Sequence, residues 1–259
     1  MGLFKLTREK KYSESVFACK RGDLTVRGTE YRPQGDSLPA VIVSHGFMAN
    51  QDSVRNYAKA LAEEGYCAYC FDFCGGSAMK NQSDGDTKTM SVLTEVQDLE
   101  AVLAYVRSLP YIQDGVILMG CSQGGFVSAL TAVKHPEEVS KLVLFYPALC
   151  IPDDARKGNM RFAMFDPENI PEIIPCGPMT LGRCYVEDVI HMDVNEEIRG
   201  YAGPVLIVHG DQDDIVDLSY SVEAQKAFEN AELKVIKGAG HGFRGSHEQE
   251  ALEYLRAFV

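Results

Sequence analysis

The chain has 259 residues, 46% hydrophobic and 24% charged, enough apolar material for a sizeable core in one or two domains. Its 25 basic and 37 acidic residues give a formal charge of −12. That balance excludes a nucleic-acid partner, whose phosphates call for clustered Lys and Arg; the one basic cluster, Arg8-Glu9-Lys10-Lys11, is short and contains an acid. No apolar run approaches the ~18 residues of a membrane span, and Met1-Gly2-Leu3-Phe4-Lys5 opens neither an apolar leader nor a small-residue cleavage site. The expectation is a cytoplasmic protein without membrane contact. Its eight cysteines sit mostly inside apolar runs and read as reduced, buried thiols.

Two alternating stretches, 13–20 and 23–32, flank Arg21-Gly22-Asp23 and predict an antiparallel hairpin. Val41-Ile42-Val43-Ser44 reads as a short buried strand ending at His45-Gly46, and a helix follows over 53–64, capped by Asp52 or Ser53 and stopped by Gly65. The strand 66–73 contains Cys67 and Cys70 as a C-x-x-C. On a strand, positions three apart point to opposite faces, so a redox or zinc role is excluded. A polar loop, 74–90, leads to the clearest helix, in which Val92, Val96, Leu99, Leu103 and Val106 recur at steps of four and three before Pro110. Strand 116–119, helix 123–134 and strand 141–145 come next.

Regularity then breaks: 147–178 holds six of the eleven prolines, and no periodic run returns until about Tyr185. Strand 204–208, a helix near 219–229, strand 233–236 and a final helix with Ser246-His247-Glu248-Gln249 as a capping box complete the chain. Apolar strands alternating with amphipathic helices predict an α/β fold, a mostly parallel sheet covered on both faces, with the proline-rich stretch inserted between two of its strands.

Gly120-Cys121-Ser122-Gln123-Gly124 matches G-x-S-x-G between a strand and a helix, the context of a nucleophile elbow. A serine hydroxyl needs a base, and the base an orienting acid. His241, between glycines after strand 233–236, is the candidate base. His135, His191 and His247 lie at a helix end, in the insertion and in the capping box, while His45 and His209 stand before glycines at strand ends in backbone-turn positions. Asp211, Asp213 and Asp214 compete as the acid. The oxyanion donors expected are the backbone N–H groups of Gln123 and Phe47. Cys121, beside the serine on a sharp turn, is expected to face into packing.

Together these residues resemble an α/β-hydrolase, and more closely the bacterial cinnamoyl (feruloyl) esterases. The resemblance runs through Ser44-His45-Gly46-Phe47, Phe71-Asp72-Phe73, Ser122-Gln123-Gly124-Gly125, 165–171 (Phe-Asp-Pro-Glu-Asn-Ile-Pro) and 204–213. It departs at Cys121, where relatives often have His, and at Cys74-Gly75-Gly76-Ser77, where they read Gly-His-Gly. The family pattern His-Gly-x-x-Asp places the acid on Asp213. The resemblance also implies a core of 1–147 and 201–259 with 148–200 as a small lid, and Tyr185 as a lid residue contacting the phenolic end of a hydroxycinnamoyl group. The activity implied is serine carboxylic ester hydrolysis of hydroxycinnamoyl (feruloyl- or coumaroyl-type) or similar small acyl or aryl esters, needing no metal or organic cofactor. Serine peptidase, lipase-like and thioesterase activities on the same fold are the alternatives, with a non-catalytic binding protein further off. Oligomeric state is not legible from the sequence.

Overall fold

A computed structural model describes residues 11–259. The basic residues Arg8 and Lys10 and the N-terminal pentapeptide lie outside the described residues. The predicted hairpin is β1 (Tyr12–Arg21) and β2 (Leu24–Pro33), turning at Gly22 with φ 57°. Strand β3 spans Leu38–Ser44. The helix after it starts differently from the prediction. Asn50, not Asp52 or Ser53, supplies the cap, accepting from Asp52 N ahead of a one-turn 3₁₀ segment Gln51–Ser53. The α-helix proper, α1, runs Arg55–Glu63. The strand β4 (Cys67–Asp72) and the long helix α2 (Val92–Arg107) follow, the latter closed by a reciprocal box between Ser91 and Thr94.

The central unit continues with β5 (Ile112–Cys121), α3 (Gln123–Lys134) and β6 (Val139–Phe145). The stretch expected to be irregular is instead built of small pieces. They are α4 (Ile151–Lys157), the ribbons β7 (Asn159–Met160) with β8 (Ala163–Met164) and β9 (Ile173–Cys176) with β10 (Met179–Gly182), and the one-turn helices α5 (Cys184–Glu187) and α6 (Val194–Glu197). Elements this short leave no periodic trace. The chain then returns to the sheet as β11 (Val205–Gly210), α7 (Leu218–Ala227), β12 (Ala231–Ile236) and α8 (Ser246–Phe258). The predicted capping box of α8 does not form. Ser246 is already helical, and Gly245, at φ 58°, turns the chain into the helix without a side-chain cap.

The eight sheet strands lie in the order β1-β2-β4-β3-β5-β6-β11-β12, parallel from β4 to β12 and antiparallel across β1-β2 and β2-β4. Side chains alternate between two cores, as the pleat demands. Ala40 and Ile42 of β3 and Cys67, Tyr69 and Phe71 of β4 join the core under α2 and α3. Val41, Val43, Ala68 and Cys70 join the core under α1 and α8. Cys67 and Cys70 therefore sit on opposite faces, and all eight cysteines are free thiols. Because the inner strands are parallel, the loops after β3, β5, β11 and β12 emerge at one edge, where open parallel sheets bind ligands.

Candidate active site

Ser122 joins β5 to α3 at φ 54° and ψ −123°, a conformation that costs a β-carbon-bearing residue on the order of 1–3 kcal/mol. Gly120 and Gly124 make the turn possible. A methyl on Gly120 would lie 2.1 Å from the Gly124 carbonyl oxygen, and one on Gly124 would lie 2.3 Å from that of His45. The elbow is thus pressed backbone-to-backbone against its own helix and against the loop after β3.

The structure brings three of the sequence-predicted side chains into line. The Ser122 hydroxyl lies 2.9 Å from His241 Nε2, and His241 Nδ1 lies 2.8 Å from Asp213 Oδ2. A carboxylate only accepts, so the imidazole proton sits on Nδ1 and Nε2 faces the serine as acceptor. Tyr146 meets the His241 ring edge-on with centroids 4.8 Å apart, and Phe243 packs in turn against Tyr146. The Asp213 side chain is fully enclosed. Burial opposes its ionisation, but contacts from His209 and His241 and the backbone N–H of Val216 outweigh it, holding the carboxyl well below the usual range. The other two aspartates stand elsewhere: Asp211 accepts from Gly238 N at 2.6 Å, tying the loop after β11 to the loop after β12, and Asp214 lines the adjoining cleft.

Gln123 is the first residue of α3, where N–H groups have no intrahelical partner. On the opposite side, a methyl built on Gly46 would come within 3.0 Å of Ser122 Cβ, so the Gly46-Phe47 backbone lies against the serine. Among the described residues, the Phe47 N–H meets no acceptor. His45 holds this loop: its Nδ1 pairs with the Gly46 carbonyl at 2.8 Å, and its Nε2 accepts from Phe73 N at 3.1 Å. Cys121 is buried among the α1/α8-side core residues, and burial pushes its thiol up to about 12, so it stays protonated and away from the serine.

A cleft of 470 Å³ opens beside Ser122 and His241, walled by Phe47, Met48, Ile151, Met160, Phe162 and Tyr185. A larger, more polar hollow of 800 Å³ between α4 and α7 contains none of Ser122, Asp213 and His241. Among the described residues no group of three or more His, Cys, Asp or Glu could hold a metal ion, and no helix is long and apolar enough to cross a membrane.

The family model for serine aminopeptidases (S33) matches residues 35–182, more than half of the chain, including the loop after β3 and the elbow. The chain belongs to this family. It is a member of the α/β-hydrolase superfamily, similar to a bacterial protein solved with ferulic acid and to several lipases. Est1E from Butyrivibrio proteoclasticus, solved with ferulic acid bound, superposes with a TM-score of 0.86 at 28% identity, over 93% of this chain and 98% of its own. The sn-1-specific diacylglycerol lipase ABHD11 of Mus musculus is 22% identical over 87% of this chain and 82% of its own. A monoacylglycerol lipase of Mycolicibacterium smegmatis is 21% identical over 85% of this chain and 87% of its own.

Two residues at or behind the cleft, Asp154 and Glu95, carried no signal in the sequence. Asp154 of α4 lines the cleft half-buried, and burial raises its carboxyl. Tyr185, which the resemblance singled out, lines the cleft with its ring against Phe47 (centroids 5.4 Å apart) and its hydroxyl donated to Gln123 Oε1. Gln123 Nε2 in turn donates to Glu95 Oε2 at 2.8 Å. Glu95 is 1% exposed, and its carboxyl is raised well above the usual range by that burial. His209, assigned a backbone-turn position from sequence, is a β11 residue with its ring fully buried against the loop that follows. That correction follows from the strand running two residues further than its apolar stretch.

Proposed function

We propose that the protein hydrolyses carboxylic esters through an acyl-enzyme on Ser122. The observation that carries this reading is the continuous line from Ser122 Oγ to His241 to Asp213, with spacings of 2.9 and 2.8 Å, whose first two members line the cleft. His241 takes the serine proton as oxygen attacks the ester carbonyl. The tetrahedral oxyanion is received by the N–H groups of Phe47 and Gln123, an effect worth on the order of 3 kcal/mol per donor. His241 then protonates the leaving alcohol, and water repeats the sequence on the acyl-serine.

In this reading, 148–200 is the lid over the acyl group and the rest of the chain the catalytic core. Hydroxycinnamoyl and similar aryl acyl groups suit a cleft with an aromatic and aliphatic wall whose polar groups include Asp154 and Tyr185. The Tyr185 hydroxyl spends its proton on Gln123, so it meets a substrate phenol as acceptor. The likeness to Est1E with ferulic acid supports this choice. The apolar wall and the lipase relatives favour short acylglycerols as a second reading. Fluorophosphonate labelling followed by peptide mapping tests the nucleophile, with Ser122 as the expected site. A panel of methyl ferulate, methyl coumarate, monoacylglycerols, thioesters and aminoacyl amides tests the acyl class. Fastest turnover of the first two is expected, and preference for the amides would overturn ester specificity.

A further inference from the structure

We propose that His209 is a positioning residue for the acid of the triad, and that its Nε2–H both fixes the Asp213 loop and sets how strongly Asp213 holds His241. The inference rests on the serine–histidine chemistry proposed above, and starts from a ring that chemistry does not use. His209 and Ser221, its neighbour on α7, are both fully buried. His209 Nε2 lies 2.9 Å from the Val216 carbonyl oxygen and 3.2 Å from Asp213 Oδ2. Both are acceptors, so the ring carries a proton on Nε2. Nδ1, 2.6 Å from Ser221 Oγ, then accepts from that hydroxyl. The neutral Nε2–H tautomer hydrogen-bonds the Val216 carbonyl and turns its N–H edge to Asp213 Oδ2 as well.

The loop this N–H grips is the one that presents the acid. Asp213 Oδ1 accepts from the N–H groups of Ile215 and Val216, at 2.9 Å each. Residue Val216 thus holds the carboxylate by its N–H and is held by His209 through its carbonyl, in the next peptide group. Oδ2 is left between two imidazoles, His241 at 2.8 Å and His209 at 3.2 Å. Two N–H donors on Oδ1 and an imidazole on either side of Oδ2 hold the carboxylate plane towards His241 Nδ1. A positive N–H edge beside Oδ2 also draws charge from the oxygen that pairs with His241. Removing that edge leaves a more basic carboxylate and a more tightly held imidazolium, so His241 becomes neutral, and able to act as base, only at higher pH.

Other charged and titratable groups face this cluster. Asp217 at the N-cap of α7 acts on His209 and Asp213, and Cys150 acts on Asp213 from the start of α4. Tyr146 packs on His241, and Asp154 and Asp214 line the cleft beside it. All are unchanged in a His209 variant, so a difference between variants reports His209.

The test is the second-order rate of Ser122 labelling by a fluorophosphonate as a function of pH, which needs no knowledge of the natural ester. In His209→Phe the acid limb is expected to move up by about 0.5–1 pH unit, with a rate at the plateau lower by about tenfold. His209→Gln, whose amide N–H can reach the place of Nε2–H, should return the limb to within about 0.2 unit of the parent. An unshifted limb in a folded His209→Phe protein would overturn the proposal, as would a shift that His209→Gln fails to reverse. Should His209→Phe not fold, long-range ¹H–¹⁵N spectra of the unaltered protein decide: a His209 ring protonated on Nε2 supports the assignment, and the Nδ1–H tautomer overturns it. Absence of Ser122 labelling in the unaltered protein would instead sink the serine reading, leaving the tautomer to judge His209 by itself.

Discussion

The loops at the sheet edge and the inserted segment 148–200 flank the same cleft but are held by different means. Ser122, Asp213 and His241 stand one to five residues beyond parallel strands, and backbone groups fix the turns that carry them: Ser122 N donates to Phe145 O, Gln212 N to Ala239 O, and Ile215 N and Val216 N to Asp213. The inserted segment is tied down largely through side chains. Asp188 accepts from Ser91 Oγ, Tyr185 donates to Gln123, and Tyr220 donates to Asp153 at 2.8 Å. It also leaves Phe162 55% and Met164 86% exposed near the cleft. Backbone-held geometry tolerates little change, whereas side-chain ties can be exchanged one at a time. Reaction chemistry is therefore expected to be invariant to changes in the insertion, and acyl preference sensitive to them.

The largest effect expected is from Ser122→Ala, at least about 10⁴-fold in kcat, with the thermal midpoint unchanged or raised because the methyl side chain brings no new contact. Residual turnover above a few per cent in contaminant-free protein would mean the edge loops do not supply the nucleophile. Asp213→Asn follows, with a loss of about 10³–10⁴-fold, since an amide cannot hold the required imidazole tautomer. Asp211→Asn should stay within about threefold, because an amide oxygen can still accept from Gly238, and Asp214→Asn likewise. A ranking with Asp214→Asn as the most damaging would move the acid by one residue.

On the insertion side the expected effect is smaller and selective. Tyr185→Phe should lower kcat/KM for ferulate or coumarate esters by about three- to tenfold, the worth of one hydrogen bond, while sparing a small aryl acetate. Equal losses on both esters would place the hydroxyl in the support of Gln123 and not in acyl recognition. The smallest effect concerns stability. Glu95 keeps its proton in the folded protein, since burial raises its carboxyl, whereas the unfolded chain releases it once pH passes ~4.5. Stability contributed by that proton is complete below this pH and declines as pH rises towards the folded-state value. Glu95→Gln, still able to accept from Gln123, should therefore raise the melting midpoint more at pH 8 than at pH 5, by a few degrees. An equal gain at both pH values would show that Glu95 is ionised in the fold.

How far the sequence could be read follows the same division. The elbow was legible because strand, paired glycines and helix are adjacent in the chain, and His241 because glycines isolate it at a strand end. The acid was narrowed to Asp211, Asp213 and Asp214 by position alone, since neighbouring carboxylates share one composition and differ only in which one the turn folds inward. The Tyr185–Gln123–Glu95 chain joins three elements far apart in sequence, so no spacing announces it. His209 hid behind its glycine, because a strand continuing through His-Gly looks like a strand ending there. The pieces of the insertion are two to seven residues long, too short for any periodicity to register.

The link from Gly238 N to Asp211 joins two loops that belong to different strands. With Gln212 N bonded to Ala239 O and Gly210 too close to Ala239 to admit a side chain, the acid and base loops form a single clasp. The separation of Asp213 and His241 is then set inside the clasp, and opening of the cleft does not have to disturb it. Such a unit opens as a whole or not at all: the amides of Gln212, Val216 and Gly238 should exchange with solvent deuterium at one common, slow rate, while those of 159–164 exchange independently and faster.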